Sequence, residues 1–299
     1  MCEAIDSALA QTYKNIEIIV VNDGSDDAGK TEEIARNYGN KIRYICKNNG
    51  GVSTALNTGI ANMKGLYFSW LSHDDIYTPD KIEKEICALS RLANKDTIIL
   101  CESGYIDENS DTISSFHTKK SVPEDKLIPW DAALMTLIKE GSFNGCSLLI
   151  SKAVFEKCGT FDESLRFNQD GYMWNRIFLN RYPLFCISDV CVYGRIHSEQ
   201  VTQKRQDLFH KDCTAMSEYL IPQFGNISTK NQNFLYEYIK YNPYTVKSCI
   251  RNEAMESANE LNLLGFIPRM KILFICIWGA VRPTIRKVLY LVKYNIKSK

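Results

Sequence analysis

The stretch "WLSHDDIYTPDK" (residues 70–81) ends an apolar run in a histidine and two adjacent carboxylates, Asp74 and Asp75. Like charges held side by side repel and need partners. In one arrangement one carboxylate caps the helix that follows and the other faces water. In the other they share a divalent cation, and hard oxygen ligands suit Mg2+ or Mn2+, which keep waters and bridge to a phosphate. Three further positions have the right chemistry. Asp23 sits in the acidic turn "NDGSDD", Asp170 stands beside Gln169 in "NQDGYMW", and His197 lies in "RIHSEQ". Taken singly, an "NDG" is a turn, a helix-start aspartate is a cap, and a lone histidine is a structural hydrogen-bonder.

Some sites are excluded. The glycine-rich "NNGGVSTALNTG" (48–59) lacks the G-K-[ST] of a Walker phosphate loop. No G-x-G-x-x-G follows a predicted strand, which argues against a dinucleotide oxidoreductase. The eleven cysteines are odd in number and scattered, with no C-x-x-C pair and no zinc spacing. They read as reduced, mostly core thiols of a cytosolic protein.

Candidate residues acquire meaning from the elements that carry them. Up to about residue 104, helix-like stretches alternate with short Val- and Ile-rich runs, the pattern of parallel strands covered by helices. The runs predict strands at 16–22, 42–47, 66–72 and 97–103, with helices at about 28–38, 51–63 and 79–94. Asp26 or Asp27 is placed to cap the first of these helices, and Thr78 with Pro79 opens the third. Residues 104–129 read as a long polar loop, 131–141 as a helix closed by glycine, 146–151 as a strand, and 151–157 and 169–179 as helices. "LFCIS" and "VCVYGRIH" make a last pair of short strands. In an open sheet of this kind ligands bind beyond the carboxyl ends of the strands, where Asp23, Asp74 and Asp75 fall. Trp174 and Phe161 read as core, not as sugar platforms.

The chain has 299 residues, 45% of them hydrophobic, enough for a full core. Its net charge of +1 conceals an asymmetry. Residues 261–299 hold eight Lys or Arg and no acid, leaving 28 basic against 35 acidic groups in residues 1–260, a net of −7. The most apolar part of this tail, Ile272 to Val281, is ten residues, short of the about 20 that a spanning helix needs. Basic residues interleaved with Leu, Ile, Trp and Tyr predict helices lying in a membrane interface beside anionic lipids. A C-terminal helix packed on the body with a solvated basic face is the alternative.

Four linked motifs, "AIDSALAQTYKNIEIIVVNDGSDD", "NNGGVSTALNTGIANMKGLYFSWLSHDD", "NGCSLLISKAVFEKCGTFDESLRFNQD" and "RIHSEQVT", resemble the family 2 inverting glycosyltransferases of the GT-A fold, of the bacterial polysaccharide-biosynthesis type. The resemblance covers about residues 1–202 and implies a mostly parallel α/β sheet flanked by helices. Residues 203–299 then form a helical C-terminal region, basic and amphipathic from about 261. It implies that Asp23 hydrogen-bonds a nucleobase, Asp74 faces the ribose, and Asp75 meets a diphosphate-bound Mg2+ or Mn2+. Asp170 matches the general base on the acceptor hydroxyl, Gln169 its polar support, and His197 a histidine that approaches metal or diphosphate.

The implied reaction moves a sugar from a nucleotide-sugar to a saccharide or lipid-linked acceptor with inversion, at the inner face of the cell membrane and with no nucleic-acid partner. The sequence departs from the pattern at Ser72, where many relatives carry another Asp, and at Leu56, where they carry Arg. Relatives also begin with an apolar strand and a P-x-Y-N-like turn, whereas this chain enters in the following helix. About fifteen residues, including the first strand, are therefore expected to be missing. The rival expectation is a truncated, non-catalytic nucleotide-sugar-binding or scaffold protein.

Overall fold

The computed structural model of the chain describes residues 1–113, 125–197, 206–227 and 234–241, in two compact units, 1–209 and 210–299. The first unit opens with helix α1 (Cys2–Leu9), strand β1 (Ile19–Asn22), helix α2 (Lys30–Asn37), strand β2 (Arg43–Cys46) and helix α3 (Val52–Asn62). Strands β3 (Tyr67–Ser69) and β4 (Ile76–Tyr77) flank the paired aspartates, and helix α4 (Lys81–Ser90) leads to the long strand β5 (Ile98–Ile106). Strand β6 (Lys126–Ile128), helix α5 (Trp130–Glu140), strand β7 (Leu148–Ser151), helices α6 (Lys152–Cys158) and α7 (Gln169–Leu179) and strand β8 (Leu184–Arg195) complete it.

The expected α/β layering is present. The two parallel ladders, β1–β2 and β5–β8, are the longest, and short antiparallel pairings join β3 to β7, β7 to β5, and β8 to both β4 and β6. β1 and β2 form a sheet of their own, and the order β3-β7-β5-β8-β4 defines the larger one. Among the described residues no strand pairs β1 with β3.

Burial explains the apolar runs. β5 and β7 are covered on both faces, which is why "IILC" and "LLIS" read as continuous apolar runs. Ile99, Cys101, Cys146, Leu149, Cys191 and Val192 pack with Tyr77, Ile82 and Leu89 in one core cluster. A second cluster, Ile5, Ala35 and Ile42, seals α1 and α2 against Ile18 and Val20 of the smaller sheet. Cys101, Cys146, Cys158, Cys186 and Cys191 are buried, whereas Cys2, Cys46 and Cys87 are exposed.

Several elements differ from the sequence reading. The predicted pair of strands near residue 190 is one strand, β8, because "SD" at 188–189 continues the chain beside β5 through a register shift instead of turning it. The helix after the paired aspartates begins at Asp80, whose carboxylate accepts from the Thr78 hydroxyl; Thr78 supports the cap and is not itself the cap. The N-cap of α2 is Gly29, neither Asp26 nor Asp27, although Asp27 accepts from the backbone N–H and the hydroxyl of Thr31 in the first turn of that helix. The segment 104–129, expected to be loop throughout, contains the end of β5 and β6.

The second unit is described through helix α8 (Gln206–Ile227), which contains Pro222, and helix α9 (Phe234–Tyr241). Leu220, Phe224, Phe234 and Leu235 are buried, the rings of Phe224 and Tyr238 stand 5.0 Å apart, and the Ser217 and Tyr238 hydroxyls share a 2.8 Å hydrogen bond. No helix among the described residues is long and apolar enough to cross a membrane. The basic tail lies outside the described residues.

Candidate functional site

Asp23 follows β1 directly, and its carboxylate is an organising acceptor. Lys47 donates to Oδ1 at 2.5 Å and the Gly50 amide at 3.0 Å, while the Gly51 amide donates to Oδ2 at 2.6 Å. Burial alone would raise this carboxyl, but Lys47 and the two amides outweigh it and hold it below the usual carboxylate value. The "NNGG" turn is therefore shaped around an anion the protein already owns. Gly51 has φ +92°, a conformation that a side chain strains to adopt, and a Cβ there would stand 2.3 Å from the Arg166 guanidinium. Oδ2 still has a lone pair for a base N–H.

The turn after β3 is electrostatically different. Asp75 Oδ1 accepts from the Arg195 backbone N–H at 3.0 Å, and Oδ2 accepts from the Cys146 thiol at 3.3 Å. Burial pushes the Cys146 thiol up, so it remains a protonated donor. Asp75 itself is raised, first by burial and further by Asp74 beside it, because its two hydrogen bonds do not offset these. His197 stands on Asp74, not Asp75, with Nε2 3.2 Å from Oδ2.

Among the described residues no three His, Cys, Asp or Glu side chains form a cluster that alone holds a metal ion. A buried carboxylate raised by its like-charged neighbour nevertheless fits a cation whose remaining ligands come with a diphosphate. Asp23, whose cation is Lys47, has no such need.

Asp170 lies in the first turn of α7, where Asn168 turns the chain through a left-handed φ of 58°. Its Oδ1 accepts from the Gly171 N–H at 2.7 Å, and the Ser142 hydroxyl is 3.5 Å from Oδ2. Burial raises the carboxyl above the usual value, a change toward basicity. Gln169 is buried, and its Oε1 finds no hydrogen-bond partner among the described residues. Trp174 and Phe161 are buried core rings 5.9 Å apart, as expected.

Two short bridges bring these groups to one region. Ser142 touches Asp170 and Cys146 touches Asp75, and the four chain steps from Ser142 to Cys146 span at most about 14 Å. Gly145 lets this bridge pass under Trp70, since a Cβ there would sit 2.2 Å from the indole. The second bridge runs from Asp23 through Gly50, whose carbonyl accepts from Arg166 at 2.6 Å, to the start of α7. Lys47, Ser142, Cys146 and Arg195 were not singled out in the sequence. "NGC" and "RIH" lay inside recognised motifs, but only the fold gives their side chains partners.

The Glycosyl transferase family 2 model matches residues 1–157. An uncharacterised glycosyltransferase of Rickettsia felis is 50% identical over 216 residues, 72% of this chain and 35% of that protein. One from Rickettsia prowazekii is 49% identical over 202 residues, 68% of this chain and 61% of that protein. The chain thus spans about a third to three fifths of these relatives' lengths. Staphylococcus aureus TarS 1–349, solved with UDP-GlcNAc, superposes with a TM-score of 0.58 at 15% identity, covering 93% of this chain and 77% of that one, so the two share a fold. A family match over more than half of the chain, with relatives near half identity, carries the conclusion that this chain belongs to glycosyltransferase family 2.

Proposed function

We propose that the region framed by Asp23, Asp74, Asp75 and Asp170 binds a nucleotide-sugar and transfers its sugar to an acceptor hydroxyl with inversion. The observation that carries this reading is the bridge 142–146, which ties the carboxylate of Asp75, through the Cys146 thiol, to the carboxylate of Asp170, through the Ser142 hydroxyl. One suits the leaving diphosphate and the other a proton acceptor. UDP and UDP-GlcNAc complexes of TarS, which shares the fold, make a uridine nucleotide the first donor to try.

In this reading Asp23 Oδ2 accepts from the base, and Asp74, held by His197, faces the ribose. Asp75, with Asp74 beside it, is the group that would hold a diphosphate-bound Mg2+ or Mn2+. Such an ion supplies Lewis-acid stabilisation of the charge developing on the departing nucleoside diphosphate. Asp170 removes the acceptor proton as the oxygen attacks the anomeric carbon in line, a single displacement that inverts it. Gln169, whose buried carbonyl oxygen has no partner among the described residues, supports the acceptor side. The acceptor is a saccharide or a lipid-linked saccharide at the inner face of the membrane, a reading supported by the basic apolar sequence of residues 261–299.

Asp170→Asn removes the proton acceptor without changing side-chain size. Transfer should fall by about 10²–10⁴-fold, while UDP binding in the presence of Mn2+, measured by calorimetry, persists. Full transfer activity in Asp170→Asn refutes the assignment of the base. Retained anomeric configuration in the product, read by NMR, refutes the single displacement.

A further inference from the structure

The turn carrying Asp74 and Asp75 belongs to no long ladder. It has one internal backbone hydrogen bond, Asp75 N–H to Ser72 carbonyl at 3.3 Å, and β4 after it has only two residues. A turn held so weakly by its own backbone must take its geometry from elsewhere. Arg195, the last residue of β8, reaches it from across the site.

Its backbone N–H donates to Asp75 Oδ1 and its Nε donates to the Asp74 carbonyl, each at 3.0 Å. The far side of the same guanidinium is anchored. Nη1 donates to the Asp107 carbonyl at 2.9 Å, the Glu108 carbonyl at 3.3 Å and the Ser110 hydroxyl at 3.0 Å, and Nη2 pairs with Glu3 of α1. The Arg195 side chain is 12% exposed.

The distribution of donors matters. Among the described residues the charged group that Arg195 pairs with is Glu3, while toward the paired aspartates it offers one N–H to a backbone carbonyl and one backbone N–H to a carboxylate oxygen. It therefore fixes where the two carboxylates stand without giving either a cation, and their appetite for one is left intact. A planar fork with donors in fixed directions can span turn, loop and helix at once, whereas the ammonium of lysine is a single point. The position two residues on, His197, is delivered to Asp74 by the same strand end.

We propose that Arg195 is the positioning residue of the paired-aspartate turn and that it sets the turn's affinity for a diphosphate-bound divalent cation. The inference rests on the reading of Asp74 and Asp75 given above, and its test separates the two. The measurement is calorimetric titration of UDP at fixed enzyme over a series of Mn2+ concentrations, for the wild type, Arg195→Lys, Glu3→Gln and Ser110→Ala, each with a thermal melt. Arg195→Lys should raise the Mn2+ concentration for half-maximal UDP binding by about 10–100-fold, the range typical for residues that orient metal-binding groups. Saturating Mn2+ should restore the UDP affinity.

Glu3→Gln and Ser110→Ala loosen the anchor and keep the arginine, so they should shift the same midpoint in the same direction by less. They carry the test if Arg195→Lys does not fold. A wild type with no Mn2+-dependent UDP binding overturns the reading of the aspartates and this inference together. A wild type that does bind, beside variants whose Mn2+ midpoints are unmoved, overturns the role of Arg195 alone. A lowered melting temperature with an unmoved midpoint does the same, because it leaves Arg195 a merely structural role.

Discussion

Two aspartates at strand ends of the same protein have opposite electrostatics, and the difference lies first in the deeper burial of Asp75 and then in their immediate partners. Asp23 faces Lys47 and two amides and is held below the usual carboxylate value; Asp75 faces a thiol, one amide and a second carboxylate and is raised. Asp23→Asn should cost about 1.5–3 kcal/mol of stability at neutral pH, the range for hydrogen bonds to a charged group. Because the folded carboxyl is lowered, its contribution is present above the unfolded value of about 3.9 and is lost as pH falls through the folded one. The gap between wild type and variant in urea unfolding should therefore narrow in acid; a gap independent of pH would contradict the ion-pair account.

The sign at Asp170 is reversed in its consequence. With Asp170 as the proposed base, the ionised form is the active one and its carboxyl is raised above 3.8 by burial, so transfer should fail on the acid side at a pH above that value. The acidity of these positions was legible in "NDG", "HDD" and "NQD". Which of them already had a cation was not, because Lys47 reaches Asp23 across 24 residues of chain.

At the level of elements, the end of β3 is held by a buried pair. Lys81 and Glu85 sit one turn apart on α4 with fully buried side chains and Nζ to Oε1 at 2.7 Å. Burial works against the Lys81 charge, but Glu85 outweighs it and the ammonium stays protonated. Lys81 Nζ also donates to Ser69 Oγ at 3.0 Å; Ser69 shares a hydrogen bond with the Tyr77 hydroxyl, which donates to the Trp70 carbonyl. The pair thus tethers the strand end from which the paired aspartates hang. Lys81→Met strands Glu85 in the core and should lower stability by about 3–5 kcal/mol, whereas Lys81→Met with Glu85→Leu should recover most of it. Equal losses in single and double variants by denaturant unfolding would show that the stranded charge is not the cause. The helical positions were readable from the capping residues and apolar spacing of "TPDKIEKEICALS". Their burial was not, since an i, i+4 Lys/Glu pair on a helix reads as a solvated face until β5 and β8 cover it.

For the whole molecule, the proposed membrane association rests on the basic apolar sequence of residues 261–299. Deleting residues 261–299 removes eight positive charges and their interleaved apolar side chains. The truncated protein should fail to pellet with anionic vesicles that retain the full chain, and unchanged sedimentation would count against an interfacial tail.

The sequence by itself determined the family, the alternation of strands and helices, and the residue types available for chemistry, because apolar periodicity and short acidic motifs are local properties. Only the tertiary structure decided that "LFCIS" and "VCVYGRIH" are one strand and that its last residue, Arg195, spans the aspartate turn, the loop after β5 and α1. It also decided that Ser142 and Cys146 join two carboxylates 95 positions apart in the chain. Those contacts depend on burial and on which segments the sheet order makes neighbours, and neither is encoded at any one stretch of the chain.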